Sequence, residues 1–145
     1  MSETEVPTDS VDALLARARA RLDRVAPDAL PAELEAGALV IDTRCGDDRR
    51  AKGAIPGSVH VPLSVLYWRL DPGSPYRDEA IADRSRRIIL VCADGFSSSL
   101  AAATLRELGF ARAADLDGGF HGWVGAGLPV DRSAATGRPR RSPKR

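Results

Sequence analysis

Apolar residues recur every three or four positions from Val11 through Leu14, Leu15, Ala18 and Leu22 to Val25, which predicts a helix over 11–25 with one buried face. Asp9 or Ser10 suits its N-cap, and Arg17, Arg21 and Arg24 fall on the solvated side. Pro27 breaks the pattern, and 28–36 reads as a second short helix stopped by Gly37. The period then changes. Ala38-Leu39-Val40-Ile41-Asp42 is a continuous, β-branched apolar run, the mark of a strand buried on both faces. Residues 43–57 read as a charged, glycine-containing loop with a turn at Pro56-Gly57. Val59-His60-Val61 is a second strand ended by Pro62, 63–70 a short helix, 71–75 a loop, and 78–82 a weak helical stretch. The strongest strand is 87–92, built on Ile88-Ile89-Leu90-Val91. A helix over 97–108 follows, ended by Gly109; then come a last strand at 113–116, a Gly118-Gly119 turn and a helix over 120–124.

Strands that alternate with helices in this way predict an α/β fold, with one parallel central sheet and helices on both faces. The chain has 145 residues, enough for one domain with a real core and too few for two such units. We expect a domain over 10–130, with 10–25 as an additional N-terminal helix, between disordered ends at 1–9 and 131–145.

Charge adds one feature to this picture. The net charge is +1, but six basic residues and no acid lie in 132–145, so the rest of the chain is acidic at about −5. A basic tail of this kind is expected to be solvated, and the balanced body predicts no specific nucleic-acid partner. The longest apolar run, 88–93, is far too short to span a membrane. The polar, acidic N-terminus does not read as a targeting peptide, and two cysteines, Cys45 and Cys92, make no disulfide framework. A reducing, cytoplasmic setting is expected.

The segment with chemical content runs from Ile88 to Ser98. A buried parallel strand ends in Cys92, and the loop Ala93-Asp94-Gly95-Phe96 leads into a helix that begins at Ser97-Ser98. Sites in open α/β sheets lie at the carboxyl ends of strands. A helix that starts there aims unpaired N–H groups and the positive end of its dipole at whatever the loop encloses. Such a setting favours a thiolate over a thiol and makes a nucleophile at neutral pH. The serine hydroxyls at 97–99 can cap the helix or donate to a sulfur anion.

This segment resembles the active-site loop of the rhodanese family, in which a cysteine opens a Cys-x-x-Gly-x-x loop before a helix. Two further segments agree. Ile41-Asp42-Thr43-Arg44 followed by Gly53-Ala54-Ile55-Pro56-Gly57-Ser58-Val59 is similar to the family's Asp-x-Arg … Gly-His-Ile-Pro-Gly-Ala stretch. Leu116-Asp117-Gly118-Gly119-Phe120-His121-Gly122-Trp123 is similar to its Leu-x-Gly-Gly-aromatic-x-x-Trp ending. The three occur in the family's order and together cover about 26–130.

The resemblance implies a rhodanese-like domain and a sulfurtransferase. Cys92 would take sulfur from thiosulfate or a persulfide as its own persulfide and pass it to cyanide, a thiol or a protein acceptor, with no metal and no cofactor. It makes 93–98 the substrate-binding loop, with Asp42 and Arg44 in support.

The chain departs from the family where its loop commonly carries basic residues. This loop has none, Ser97 stands where an arginine is common, and Asp94 is acidic. A carboxylate about 7 Å from an anion opposes it by a few kcal/mol at most. Arg49 or Arg50, after the first strand, is the expected source of compensating charge. Cys45 also follows a strand and reads as an incidental loop thiol, with a resolving role as the alternative. His60 and His121 have no metal-ligand spacing, and Tyr67, Trp68, Phe120 and Trp123 read as packing residues.

Two other functions compete with the enzyme. One is a rhodanese-fold binding or sensor module with low turnover. The other is a phosphatase or arsenate reductase, which needs an oxyanion-clamping arginine where Ser97, Ser98 and Ser99 stand.

Overall fold

The computed structural model describes residues 9–133. The expectations for 1–8 and 134–145 lie outside the described residues. Four strands, β1 (Leu39–Asp42), β2 (Val59–His60), β3 (Ile88–Val91) and β4 (Ala113–Asp115), form one parallel sheet in the order β2-β1-β3-β4. β1 and β3 pair at the centre, with Leu39 opposite Ile88 and Asp42 opposite Val91. Both are buried at all four positions, as their unbroken apolar runs require.

Successive strand residues point to opposite faces, and each face has its own cover. Leu39, Ile41, Ile88 and Leu90 pack with Leu66 and Leu70 of α4 (Leu66–Leu70) and with Ala101, Ala102 and Leu105 of α5 (Ser97–Glu107). Val40, Ile89 and Val91 pack on the other side with Leu30 of α2 (Leu30–Glu35) and with Phe120 and Trp123 of α6 (Gly119–Gly125). The run of alanines in α5 lets that helix sit close to the sheet.

Four local expectations need correction. The first helix, α1, spans Val11–Ala20 rather than 11–25, with Ser10 accepting the Ala13 N–H at its N-cap. Val25 leaves the helical pattern to pair with the free edge of β4: its N–H reaches the Asp115 carbonyl at 2.9 Å, and its carbonyl accepts from Asp117 at 2.8 Å. An unpaired sheet edge thus outweighs the helical period. The loop expected over 43–57 contains α3 (Gly46–Lys52). No apolar stripe marks it; Asp47 and Asp48 in its first turn and Arg49, Arg50 and Lys52 in its last complement the helix dipole. The stretch 78–82 makes a turn rather than a helix, because the Asp78 carboxylate takes the Ala80 N–H and the turn is not propagated. Trp68 is 54% exposed, whereas Tyr67 packs on the core as expected.

Among the described residues, no helix is long and apolar enough to cross a membrane. Because all four strands run the same way, their carboxyl ends share one edge of the sheet. That edge carries Thr43 after β1, Val61 after β2, Cys92 after β3 and Leu116 after β4.

Candidate active site

Cys92 is the first residue beyond β3 and is 7% exposed, at the floor of the loop that joins β3 to α5. The loop turns its amides inward. The Gly95 N–H donates to the Cys92 sulfur at 3.1 Å and the Ser98 N–H at 3.4 Å, while the thiol itself donates to the Ser98 hydroxyl at 3.2 Å. The turn has no room for side chains at two points. Gly95 has φ +84°, and a Cβ on Gly119 (φ +61°) would lie 2.5 Å from the Cys92 carbonyl oxygen and 2.7 Å from the Gly95 nitrogen. α6 therefore closes directly on the loop, with the Phe120 N–H on the Cys92 carbonyl at 2.8 Å and the His121 N–H on the Ala93 carbonyl at 3.0 Å.

Burial pushes the Cys92 thiol pKa up. Hydrogen bonds from the Ser98 and Ser97 hydroxyls and from the Ser98 and Gly95 N–H groups outweigh it, so the net shift is downward. The arrangement favours an anion on this sulfur.

Behind the loop lies a buried polar network. Asp115 of β4 is fully buried and accepts the Ser98 hydroxyl at 2.8 Å and the Ser99 hydroxyl at 2.7 Å. Arg24 grips both oxygens of Asp115 at 3.1 Å, reaches Asp117 at 2.9 Å, and donates to the Gly95 carbonyl at 3.0 Å. Arg19 of α1 donates to the same carbonyl at 2.8 Å and to the Ser99 hydroxyl at 3.1 Å. Among the described residues no buried side-chain nitrogen or oxygen lacks a partner.

The residues singled out from the sequence fall into three groups. Ala93, Asp94, Gly95, Phe96, Ser97 and Ser98 form the loop and the first turn of α5. Asp94 points outward, where its carboxylate meets the His121 ring at 2.7 Å, and Lys52 reaches the other ring nitrogen at 3.2 Å. Phe96 is 60% exposed beneath the Arg19 guanidinium.

Asp42 and Arg44 form a buried ion pair at 2.8 Å at the end of β1, and Arg44 stacks 3.9 Å from the centre of the Phe120 ring. Arg49 is tied to the same Asp42 at 3.0 Å and Arg50 to Asp47. The guanidiniums that bond to the loop are those of Arg19 and Arg24 instead. Cys45 is exposed at the start of α3, and the His60 ring meets the Arg44 carbonyl at 2.7 Å.

The sequence reading missed Arg24, Arg19 and Asp115. Arg24 looked solvated because the helical period runs through Val25. The one available signal was Asp115, a carboxylate in a strand otherwise built of alanine.

A family model described as Rhodanese-like domain matches residues 26–126. The thiosulfate sulfurtransferase GlpE of Stutzerimonas stutzeri (strain A1501) is 37% identical over 100 residues, covering 69% of this chain and 83% of that protein. Two solved structures are similar. A Rhodopseudomonas palustris protein of unknown function, described as a possible tyrosine phosphatase, superposes with a TM-score of 0.79 at 27% identity, covering 90% of this chain and all of that one. The polysulfide-sulfur transferase homodimer of Wolinella succinogenes gives 0.66 at 26% identity, covering 84% of this chain and 88% of its own.

Proposed function

We propose that this chain, which belongs to the rhodanese-like domain family, is a sulfurtransferase that carries sulfane sulfur as a persulfide on Cys92. The observation that carries the reading is the Cys92 sulfur, held within hydrogen-bond distance of the Gly95 and Ser98 N–H groups at the start of α5. Those donors match a charge that stays on sulfur throughout the cycle.

In the first half-reaction the Cys92 thiolate attacks the outer sulfur of a donor such as thiosulfate or a low-molecular-weight persulfide. The new S–S bond forms as the donor's S–S bond breaks, and sulfite or a thiolate leaves with the electron pair. In the second, cyanide or an acceptor thiolate attacks the outer sulfur of the persulfide. Thiocyanate or a new persulfide departs, and the Cys92 thiolate returns. Atoms and electrons balance without an external oxidant. The loop amides hold the negative charge in both forms. Cys92 as the acceptor atom, 93–98 as the substrate loop, and Asp42, Arg44 and Arg49 as its support are parts of this proposal. So is a reducing compartment such as the cytoplasm, where both thiols stay free.

A phosphatase reading draws on the description of the Rhodopseudomonas protein and finds little support in this loop. Ser97, Ser98 and Ser99 occupy the stretch where an arginine would clamp phosphate oxygens, and Arg19 and Arg24 are committed to the Gly95 carbonyl, Ser99 and Asp115.

Mass spectrometry of the full chain after incubation with thiosulfate or cysteine persulfide, without reductant, tests the proposal. One added sulfur on Cys92 is expected, released by cyanide as thiocyanate and absent from Cys92→Ser. Undiminished sulfur transfer by Cys92→Ser refutes it. Absence of any sulfur adduct on the wild-type chain leaves the binding-module reading.

A further inference from the structure

The Asp115 side chain is fully buried, and its four close donor contacts come from Ser98, Ser99 and two nitrogens of Arg24. The Ser98 hydroxyl carries a single hydrogen and faces two acceptors, the Asp115 carboxylate at 2.8 Å and the Cys92 sulfur at 3.2 Å. While Cys92 is a thiol, the S–H donates to Ser98 and the Ser98 hydrogen goes to Asp115. Once the sulfur is an anion it needs that hydrogen. The hydroxyl then turns, and Asp115 gives up one donor of the four. Two of the remaining three come from Arg24.

We propose that Arg24, which lies outside the matched residues 26–126, is a positioning residue of the sulfur site: its two-point grip on Asp115 frees the Ser98 hydroxyl to turn onto the Cys92 sulfur. Arg24 also pins the loop through the Gly95 carbonyl. The segment ahead of the family domain thereby supplies, from behind, the positive charge that this loop lacks. Arg24 makes no hydrogen bond to the sulfur; beside the direct pull of its charge on Cys92, it acts through its grip on Asp115 and so on Ser98. Other charged groups on elements around the sulfur include Arg19 on α1, Asp94 on the loop, Asp117 after β4, His121 on α6, Arg49 and Lys52 on α3, and the Asp42–Arg44 pair at the end of β1.

This inference rests on the Cys92 reading, and its test separates the two. In the full-length Cys45→Ser chain Cys92 is the sole thiol, and its ionisation is read directly from thiolate ultraviolet absorbance against pH. Arg24→Ala is expected to move that titration up by about one unit, a tenfold smaller thiolate fraction near neutrality. In the Ser98→Ala background the same substitution is expected to produce less than half that shift, because the hydroxyl it would release is gone. In sulfur transfer, kcat falls about tenfold while KM for the donor stays within about twofold, since Arg24 does not contact substrate.

An unchanged titration in Arg24→Ala, or an equal shift with and without the Ser98 hydroxyl, overturns the proposal. If Arg24→Ala does not fold, Arg24→Gln, which keeps one donor for Asp115, carries the same comparison. A wild-type chain that forms no persulfide defeats the earlier reading but leaves the titration to judge this one.

Discussion

Removing the Arg44 side chain is expected to cost about 4–5 kcal/mol of folding stability, summed from three losses. The Arg44 and Asp42 side chains are 3% and 2% exposed, so their ion pair is nearly dry. Breaking a buried pair by deleting one partner costs about 3–5 kcal/mol, because a charge is left behind. Here the lower end applies, since Asp42 keeps Arg49 at 3.0 Å and the Arg44 main-chain N–H at 3.0 Å. To this about 3 kcal/mol the lost stacking on Phe120 adds about 1 kcal/mol. The Gly53 carbonyl, which accepts from Arg44 at 2.7 Å, loses its partner and adds a similar amount. A domain of this size has about 5–15 kcal/mol in hand, so Arg44→Ala should stand near its unfolding threshold.

The damage also reaches the sulfur, because Phe120 donates its N–H to the Cys92 carbonyl. The assay is urea unfolding followed by the fluorescence of the buried Trp123, on Arg44→Ala, Asp42→Ala and the double variant. The expected coupling between the two positions is at least about 2 kcal/mol. A loss below about 1 kcal/mol for Arg44→Ala, or additive single variants, would refute this account of the β1 end.

Three other outcomes follow from the same geometry. The folded Cys92 thiol titrates below its unfolded value, so in the interval between the two the unfolded chain holds the extra proton and stability rises with pH. That contribution is complete above the ordinary thiol value of about 8.5 and is lost as pH falls through the folded value; unfolding free energies against pH should show the rise in wild type and not in Cys92→Ser. Gly119→Ala forces a Cβ against three main-chain atoms of the loop at positive φ, and calorimetry should show a loss of about 2–4 kcal/mol with an upward shift of the thiolate titration. Asp94 opposes an incoming anion from the exposed rim, so Asp94→Asn should lower KM for thiosulfate about twofold to threefold at low salt, with the difference closing at high salt.

What could be read from the sequence follows from where each signal is stored. β1 and β3 are legible because burial on both faces demands an unbroken apolar run, and Ile88-Ile89-Leu90-Val91 is one. The position of Cys92 is legible because it depends on a local event, a strand end followed at once by a helix. α3 is invisible to a hydrophobic pattern, since charges at its two ends stabilise it rather than an apolar stripe. Arg24 and Asp115 are 91 positions apart, and neither has a local reason to seek the other. Their meeting depends on Val25 taking the free edge of β4, a tertiary choice that ends α1 early and swings Arg24 inward. Arg49 and Arg50 are the expected source of the loop's positive charge, but Asp42 and Asp47 are closer to them along the chain and hold them.

The placement of charge bears on which donor this site prefers. Cations at the mouth of such a loop would attract an anionic donor from solution and also steady the anion once formed. Here the two tasks are separated. Arg19 and Arg24 stand behind the loop, bound to the Gly95 carbonyl and to the Ser99–Asp115 network, where under the proposed reaction they would steady a charge on Cys92. The mouth carries the Asp94 carboxylate, with His121 and Lys52 beside it, so no net positive charge draws in an approaching dianion and Asp94 opposes it. A site arranged in this way holds an anion better than it recruits one. Under the proposed reaction, thiosulfate should then be handicapped in KM rather than in kcat. A persulfide of lower charge should be the better donor at low concentration, with the gap narrowing as thiosulfate approaches saturation. Measuring both donors over the same concentration range decides it: equal kcat/KM values at low salt would mean that the charge at the rim has no bearing on donor choice.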